Sequence, residues 1–216
     1  MRIPIHRDGW PYIGAFCAAN AVLFLLSPWL GGIFAPLTLW CVLFFRDPDR
    51  VTPDGDGLIT SPADGRLLPF GLAVPPQELG MGQEPRLRLS IFMDLFNVHV
   101  NRNPADGTVM VISYRKGRFF NASFDKASEH NERMSARIRL KGGGDGGDLA
   151  VVQIAGLVAR RIRSDLVQNQ SVRRGERFGI IRFGSRLDVY LPPGAKVLVT
   201  PNQHVKAGET ILASFQ

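Results

Sequence analysis

The sequence predicts a mainly β, β-rich α+β fold: a compact sheet or barrel-like domain preceded by an N-terminal hydrophobic helical hairpin. Three observations carry this prediction. Residues 9–45 form a run of 37 positions without an Asp, Glu, Lys, Arg or His. Beyond residue 46 the apolar residues fall in short, partly alternating runs rich in β-branched side chains, the pattern of half-buried strands. Gly, Pro and Asp separate those runs, where turns are made.

As one helix the uncharged stretch would measure about 55 Å, against a bilayer core roughly 30 Å thick. The cluster Ser27-Pro28-Trp29-Leu30-Gly31-Gly32 breaks it near the middle, so two short membrane segments form a hairpin in residues 1–45. Arg2 and Arg7 precede the hairpin while Arg46 and Arg50 follow it, which places both flanks, and the domain 46–216, on the cytoplasmic side of the cell (inner) membrane. Trp10, Tyr12, Trp29 and Trp40 suit interfacial anchors. A cleaved signal peptide is disfavoured because the apolar run continues to Phe45. A hairpin that only enters the bilayer stays open, since the second segment is short and contains Pro36. Both cysteines, Cys17 and Cys41, lie in this stretch, leaving the remaining domain without a thiol for a disulfide, a metal site or a nucleophile.

The chain carries a net charge of +7 and a pI near 10.0, which admits nucleic acid or an anionic surface as partner. With Arg2, Arg7 and Asp8 set aside, residues 46–216 hold 24 basic and 18 acidic residues. No helix-turn-helix pattern, zinc-ligand spacing or RNA-binding aromatic motif accompanies that charge. An anionic phospholipid membrane is therefore the expected partner, with no nucleic acid and no metal.

Strands are expected at 86–93, 108–114, 134–140, 149–154 and 157–163. One short helix is expected within 164–177 and a turn or two at 124–130. The Gly-rich stretch 141–148 lacks the Gly-Lys-Ser/Thr ending of a phosphate loop and reads as a hairpin loop. Residues 178–191 are strand-like on both sides of Gly184-Ser185. A glycine there marks a bulge or a close backbone approach.

Three further places give that pair a context. Ser61-Pro62-Ala63-Asp64-Gly65 sets an aspartate in a tight turn. Phe96-Asn97-Val98-His99-Val100-Asn101-Arg102 sets a histidine in a strand-like run. Residues 197–212, from Val197 through Thr200-Pro201-Asn202-Gln203-His204 to Leu212, close the chain. With Phe45-Arg46-Asp47-Pro48, Asn131-Glu132-Arg133 and the run 153–161, these motifs, in this order, resemble the phosphatidylserine decarboxylase proenzymes, specifically their short-chain prokaryotic branch.

The resemblance implies self-cleavage between Gly184 and Ser185 into a β chain of residues 1–184 and an α chain of residues 185–216, with Ser185 converted to a pyruvoyl group. The motif Phe183-Gly184-Ser185-Arg186 departs from the commoner Leu-Gly-Ser-Thr at its outer positions and keeps the reacting pair. A serine hydroxyl needs a base to become a nucleophile. The resemblance assigns that role to His99, with Asp64 orienting it in the manner of a Ser-His-Asp triad. It further implies that the pyruvoyl group acts as an electron sink in converting phosphatidylserine to phosphatidylethanolamine and carbon dioxide, with His99 the general acid at the substrate carbon. Longer bacterial members carry a second histidine where this chain has Phe96.

Arg102, Arg133 and Arg160-Arg161 are candidates for the headgroup phosphate and carboxylate, because guanidinium binds oxyanions in bidentate fashion; each equally suits a solvated face or a structural ion pair. His204 and His130 read as surface or structural residues, and His6 as part of the basic flank. A homo-oligomer is compatible with the sequence. Two other classes remain. Residues 205–212, with Ser61–Leu67, also resemble the turns of lipoyl- and biotin-type barrels and phosphocarrier domains, which suggests a membrane-anchored carrier module; no lysine flanked by methionine supports it. A serine hydrolase could use the same Asp, His and Ser but lacks the Gly-x-Ser-x-Gly elbow.

Overall fold

The computed structural model describes residues 4–117, 131–144, 147–156, 161–182 and 185–215. The turn expected at 124–130 lies outside them. By its internal contacts the chain forms two units, Met1–Asp49 with Phe96–Val98, and Arg50–Leu95 with His99–Gln216.

The first unit is a helical hairpin. α1 (Trp10–Leu26) continues a single 3-10 turn at Arg7–Gly9, and α2 (Pro28–Phe44) follows after one residue. The break is narrower than the Ser27–Gly32 cluster suggested: only Ser27 leaves helical geometry, with φ −162° and ψ 125°. Pro28 opens α2, where its missing N–H is not needed and its fixed φ suits the helix, so Trp29–Gly32 continue it. Gly31 is buried against Phe24, and a Cβ on it would lie 2.7 Å from that side chain's Cβ, so the absence of a side chain sets how closely the helices approach. The rings of Phe16 and Phe34 stack across the pair at 5.9 Å. Leu25, Trp29 and Ile33 are 87%, 83% and 76% exposed, more apolar surface than a helix keeps in water. The helical run Arg7–Leu26 has the length and composition to cross a bilayer; Pro28–Phe44 is shorter. At the end of the hairpin Arg46 donates from Nη1 to the Leu43 carbonyl and from Nη2 to that of Phe96.

The second unit is built of strands: β1 (Leu58–Thr60), β2 (Gly65–Leu67), β3 (Gly71–Ala73), β4 (Arg86–Met93), β5 (Val100–Arg102), β6 (Gly107–Arg115), β7 (Arg133–Leu140), β8 (Asp148–Ala155), β9 (Ile162–Ser164), β10 (Ser171–Val172), β11 (Arg177–Ile181), β12 (Ser185–Tyr190), β13 (Lys196–Val197), β14 (His204–Val205) and β15 (Ile211–Ser214). The largest sheet, curled as a half-barrel, runs β10-β6-β7-β8-β12-β4-β2-β14, with β3 pairing the start of β4 on the same edge as β2. Two small sheets, β1-β15-β13 and β5-β11-β9, complete the unit. β8 and β12 lie at the centre of the large sheet and are buried along their whole length. Leu89, Ile91, Val151, Leu187 and Val189 fill the core on one face, while Leu79, Val152, Ile154 and Tyr190 form a smaller cluster on the other.

The strands expected at 86–93, 108–114, 134–140 and 149–154 appear as β4, β6, β7 and β8; of the strand expected at 157–163, residues 157–160 lie outside the described residues and β9 begins at Ile162. The helix expected within 164–177 does not form. Asn169 takes a left-handed φ of 65°, the Gln170 N–H donates to the Val167 carbonyl at 3.1 Å and the Gln170 side chain accepts from the Val167 N–H at 3.0 Å, so the polar run makes a turn between β9 and β10. Residues 178–191 are not one bulged strand. β11 belongs to a small sheet and β12 to the large one, so the chain changes sheets between residues 181 and 185.

Candidate active site

Ser185 is the first residue of β12 and has no solvent exposure. It is in register with Met93 of β4 on one side and Ala155 of β8 on the other. Strand alternation sends Ser185, Leu187 and Val189 to the core face and Arg186, Asp188 and Tyr190 to the opposite one. A buried hydroxyl needs a hydrogen-bond partner. Ser185 Oγ donates to Met93 Sδ at 3.8 Å, and the same sulfur receives Asn101 Nδ2 at 3.8 Å. Asn101 Oδ1 in turn accepts from Gln153 Nε2 at 2.8 Å.

His99 is fully buried immediately before β5. Its carbonyl accepts from the Ile181 N–H at 3.4 Å, extending the pairing of β5 with β11, in which Val100 faces Ile180. His99 is thus tied to the end of the strand that leads, four residues later, to Ser185. Asp64 lies in a turn fastened to the other end of β5, where the Arg102 N–H donates to the Pro62 carbonyl at 2.9 Å. The Asp64 carboxylate accepts from Arg50 Nη2 and from the Ala207 N–H, each at 2.7 Å. The backbone therefore gathers the Asp64 turn, His99 and the approach to Ser185 around β5 and β11, while the bonds given to the Asp64 carboxylate are those of Arg50 and Ala207.

The arginines divide differently. Arg102 is buried, with Nη1 donating to the Gly175 carbonyl at 2.8 Å, and helps hold the 173–176 turn. Arg133 pairs with Glu78, Nη2 to Oε1 at 2.8 Å, and Ser135 Oγ donates to Oε1 of the same residue at 3.2 Å. The β7–β8–β12 register puts Arg133 beside Ile154 and hence on the face of Arg186, opposite to the Ser185 side chain. Gly184, Arg160 and His130 lie outside the described residues. His204 is exposed on β14, and His6 Nδ1 accepts from the Asp8 N–H. Among the described residues, no group of three or more His, Cys, Asp or Glu side chains is placed to hold a metal ion.

Sequence reasoning missed five residues around this candidate site. Met93, Asn101 and Gln153 surround Ser185, and Arg186 with Asp188 forms a fully buried ion pair behind it, Nε to Oδ1 at 2.6 Å and Nη2 to Oδ2 at 2.7 Å. A signal existed for the amides: Asn101 and Gln153 are polar at positions of strand-like runs that alternation assigns to the core. Two open clefts, of about 340 and 500 Å³, share Asp106 and Lys141 and lie at the Leu140 end of β7. Arg133, beside the Ser185 row, is about 23 Å away along that strand, so neither cleft belongs to this site.

The site is a buried serine at a crossing between sheets, with a histidine tied to the preceding strand. A small apolar group also fits at position 185, because Met93, Ala155 and Leu187 share its face and β12 holds its first residue from the C-terminal side on both edges.

The phosphatidylserine decarboxylase family description matches residues 37–213. A phosphatidylserine decarboxylase proenzyme of Paramagnetospirillum magneticum is 56% identical over 212 residues, covering 98% of this chain and 87% of that protein. A proenzyme of the same name from Cereibacter sphaeroides is 54% identical over 212 residues, covering 98% and 90%. The carrier-module reading is not favoured, since the match spans both turns that suggested it and the Gly184-Ser185 pair between them. The chain therefore belongs to the phosphatidylserine decarboxylase family.

Proposed function

We propose that the chain is made as a proenzyme, cuts itself between Gly184 and Ser185, and then decarboxylates phosphatidylserine to phosphatidylethanolamine and carbon dioxide. The observation that carries the site assignment is the crossing from β11 to β12: the chain leaves one sheet beside His99 and enters the other at Ser185.

In the cut, Ser185 Oγ forms a bond to the Gly184 carbonyl carbon and the amide C–N bond breaks, exchanging an amide for an ester. His99 takes the hydroxyl proton and returns it to the departing nitrogen. Asp64, held in place by Arg50 and the Ala207 N–H, contributes a fixed negative charge in the turn that flanks β5 and favours the imidazolium formed at His99. Loss of the Ser185 α-proton with departure of the Gly184 carboxylate leaves dehydroalanine, which water converts to the pyruvoyl end with release of ammonia. A pyruvoyl group at position 185 supplies an electron sink for loss of carbon dioxide from an amino-acid headgroup. His99 then holds the proton delivered to the headgroup carbon. Exclusion of water by the buried β12 face strengthens these polar interactions. Arg102 and Arg160 are the headgroup candidates on this reading, while the engagement of Arg133 with Glu78 favours a structural ion pair.

The apolar hairpin supports attachment to the inner membrane with the catalytic unit on the cytoplasmic side, where basic residues meet anionic lipid. The cut chains form an α/β pair, and self-association of that pair remains part of the proposal. Intact-mass measurement tests the cut. Fragments of residues 1–184 and 185–216, the latter with a carbonyl-reactive end, are expected from the wild-type chain, and only full-length protein from Ser185→Ala. An active wild-type protein that stays uncut would sink the proposal. Flotation of the expressed protein with anionic vesicles tests the attachment.

A further inference from the structure

Four strands from two sheets bring their polar side chains together beside Ser185. Met93 (β4), Asn101 (β5), Gln153 (β8) and Ser185 (β12) are at most 1% exposed, on a face otherwise filled by Leu, Ile and Val. Burying two carboxamides there is costly, and their mutual bond satisfies them only in part: Gln153 Oε1 has no hydrogen-bond partner among the described residues. Apolar residues of similar size would pack this face without that penalty. The hydrogen bonds form a directed chain, from Gln153 Nε2 to Asn101 Oδ1, from Asn101 Nδ2 to Met93 Sδ, and from Ser185 Oγ to the same sulfur.

We propose that Met93, held by the Asn101–Gln153 amide pair, is a positioning residue for self-cleavage that seats the Ser185 hydroxyl for attack on the Gly184 carbonyl. This rests on the self-cleavage reading above. The choice of atom matters. A thioether is a weak acceptor, so it fixes the orientation of Oγ without holding its proton firmly against transfer to a base. Methionine alone is a poor guide, because it has three rotatable bonds and adapts to its surroundings. The Asn101 N–H removes that freedom by fixing the sulfur, and Gln153 fixes Asn101. The two amides therefore act on the serine through the sulfur.

The test follows the freshly made full-length chain by intact mass as it is cut, across pH, with the melting temperature of uncut protein measured in parallel. Met93→Leu keeps an apolar side chain of similar volume and removes the acceptor. Cleavage is expected to slow about three- to tenfold, the worth of one weak hydrogen bond. Its plateau rate should fall while the pH midpoint stays, since the base is unchanged. The double variant Asn101→Leu/Gln153→Leu should slow cleavage to a similar degree, and the triple variant should be no slower than Met93→Leu, because all three act through one sulfur. Should Met93→Leu fail to fold, the wild-type chain made with selenomethionine, which keeps the acceptor, is compared with the chain made with norleucine, which loses it; only the second should be slow. Wild-type cleavage rates in Met93→Leu or in the norleucine chain would overturn the proposal, as would slowing that merely tracks a lower melting temperature. A wild-type chain that is not cut after Gly184 instead removes the underlying self-cleavage reading.

Discussion

On one face of β12 stand Ser185, Leu187 and Val189, and on the other Arg186, Asp188 and Tyr190, with both faces closed to solvent. On the core face the Ser185 hydroxyl is held by the Met93 sulfur, a weak acceptor, whereas the opposite face holds a charge pair by two short bonds. A buried ion pair adds little stability over well-packed apolar residues, because both ions lose their water. Its use here is orientation. A slip of one residue would carry Arg186 and Asp188 into the apolar core and Ser185 out of it, and the desolvation cost of those charges forbids that slip. Strong bonds behind the strand allow the bond in front to be weak.

Removing the proposed proton acceptor has the largest expected effect. His99→Ala should slow self-cleavage by about 10²- to 10⁴-fold, measured as the fraction of intact chain over time, with the β signature of the protein retained by circular dichroism. Efficient processing of this variant would take His99 out of the base role. On the opposite face, Asp188→Ala strands the Arg186 guanidinium and should cost about 3–5 kcal/mol in denaturant unfolding. Arg186→Met/Asp188→Leu should recover most of that loss; a double variant as unstable as the single one would show that packing, not the unpaired charge, sets the cost. Leu187→Ala, on the core face, should cost about 2–5 kcal/mol through the cavity it leaves and should not be recovered by changes at Asp188.

The smallest effect concerns Tyr190. Burial, reinforced by the Asp188 charge, pushes its phenol above the ordinary value. The folded state then holds the proton more tightly than the unfolded chain. The resulting stability is present below a pH of about 10 and is lost as pH rises through the raised folded value. Tyr190→Phe should flatten the alkaline decline of the melting temperature and leave neutral stability within about 1 kcal/mol.

The long strands of the second unit were legible because each buries at least one face, which stamps a period of two on the sequence, and the hairpin because no soluble fold needs 37 uncharged residues in a row. The candidates Gly184-Ser185, His99 and Asp64 stand in the sequence as short motifs in a recognisable order. Their surroundings were not legible there. Met93, Asn101 and Gln153 meet only because β4 and β8 flank β12 while β5 pairs with β11, a topology that no local pattern encodes. The 164–177 segment was misread because its polar run suits a helix surface, whereas Asn169 in a left-handed conformation turns the chain. Arg133 looked available for a substrate anion until Glu78, 55 positions earlier in the sequence, was found beside it.

The place of β12 at the centre of the large sheet has a consequence for the lifetime of the mature protein. On the proposed cut after Gly184, the fragment of residues 185–216 would keep its strands woven into four neighbours of the remainder, β8 and β4 beside β12, β2 beside β14 and β1 beside β15. Nothing covalent would then join it to the remainder. An uncut chain refolds as one molecule, but a cut pair would have to find each other again at a rate set by their concentration. Such a cut would turn unfolding into a one-way loss, so that the working life of the cut protein would be governed by how slowly β12 leaves the sheet.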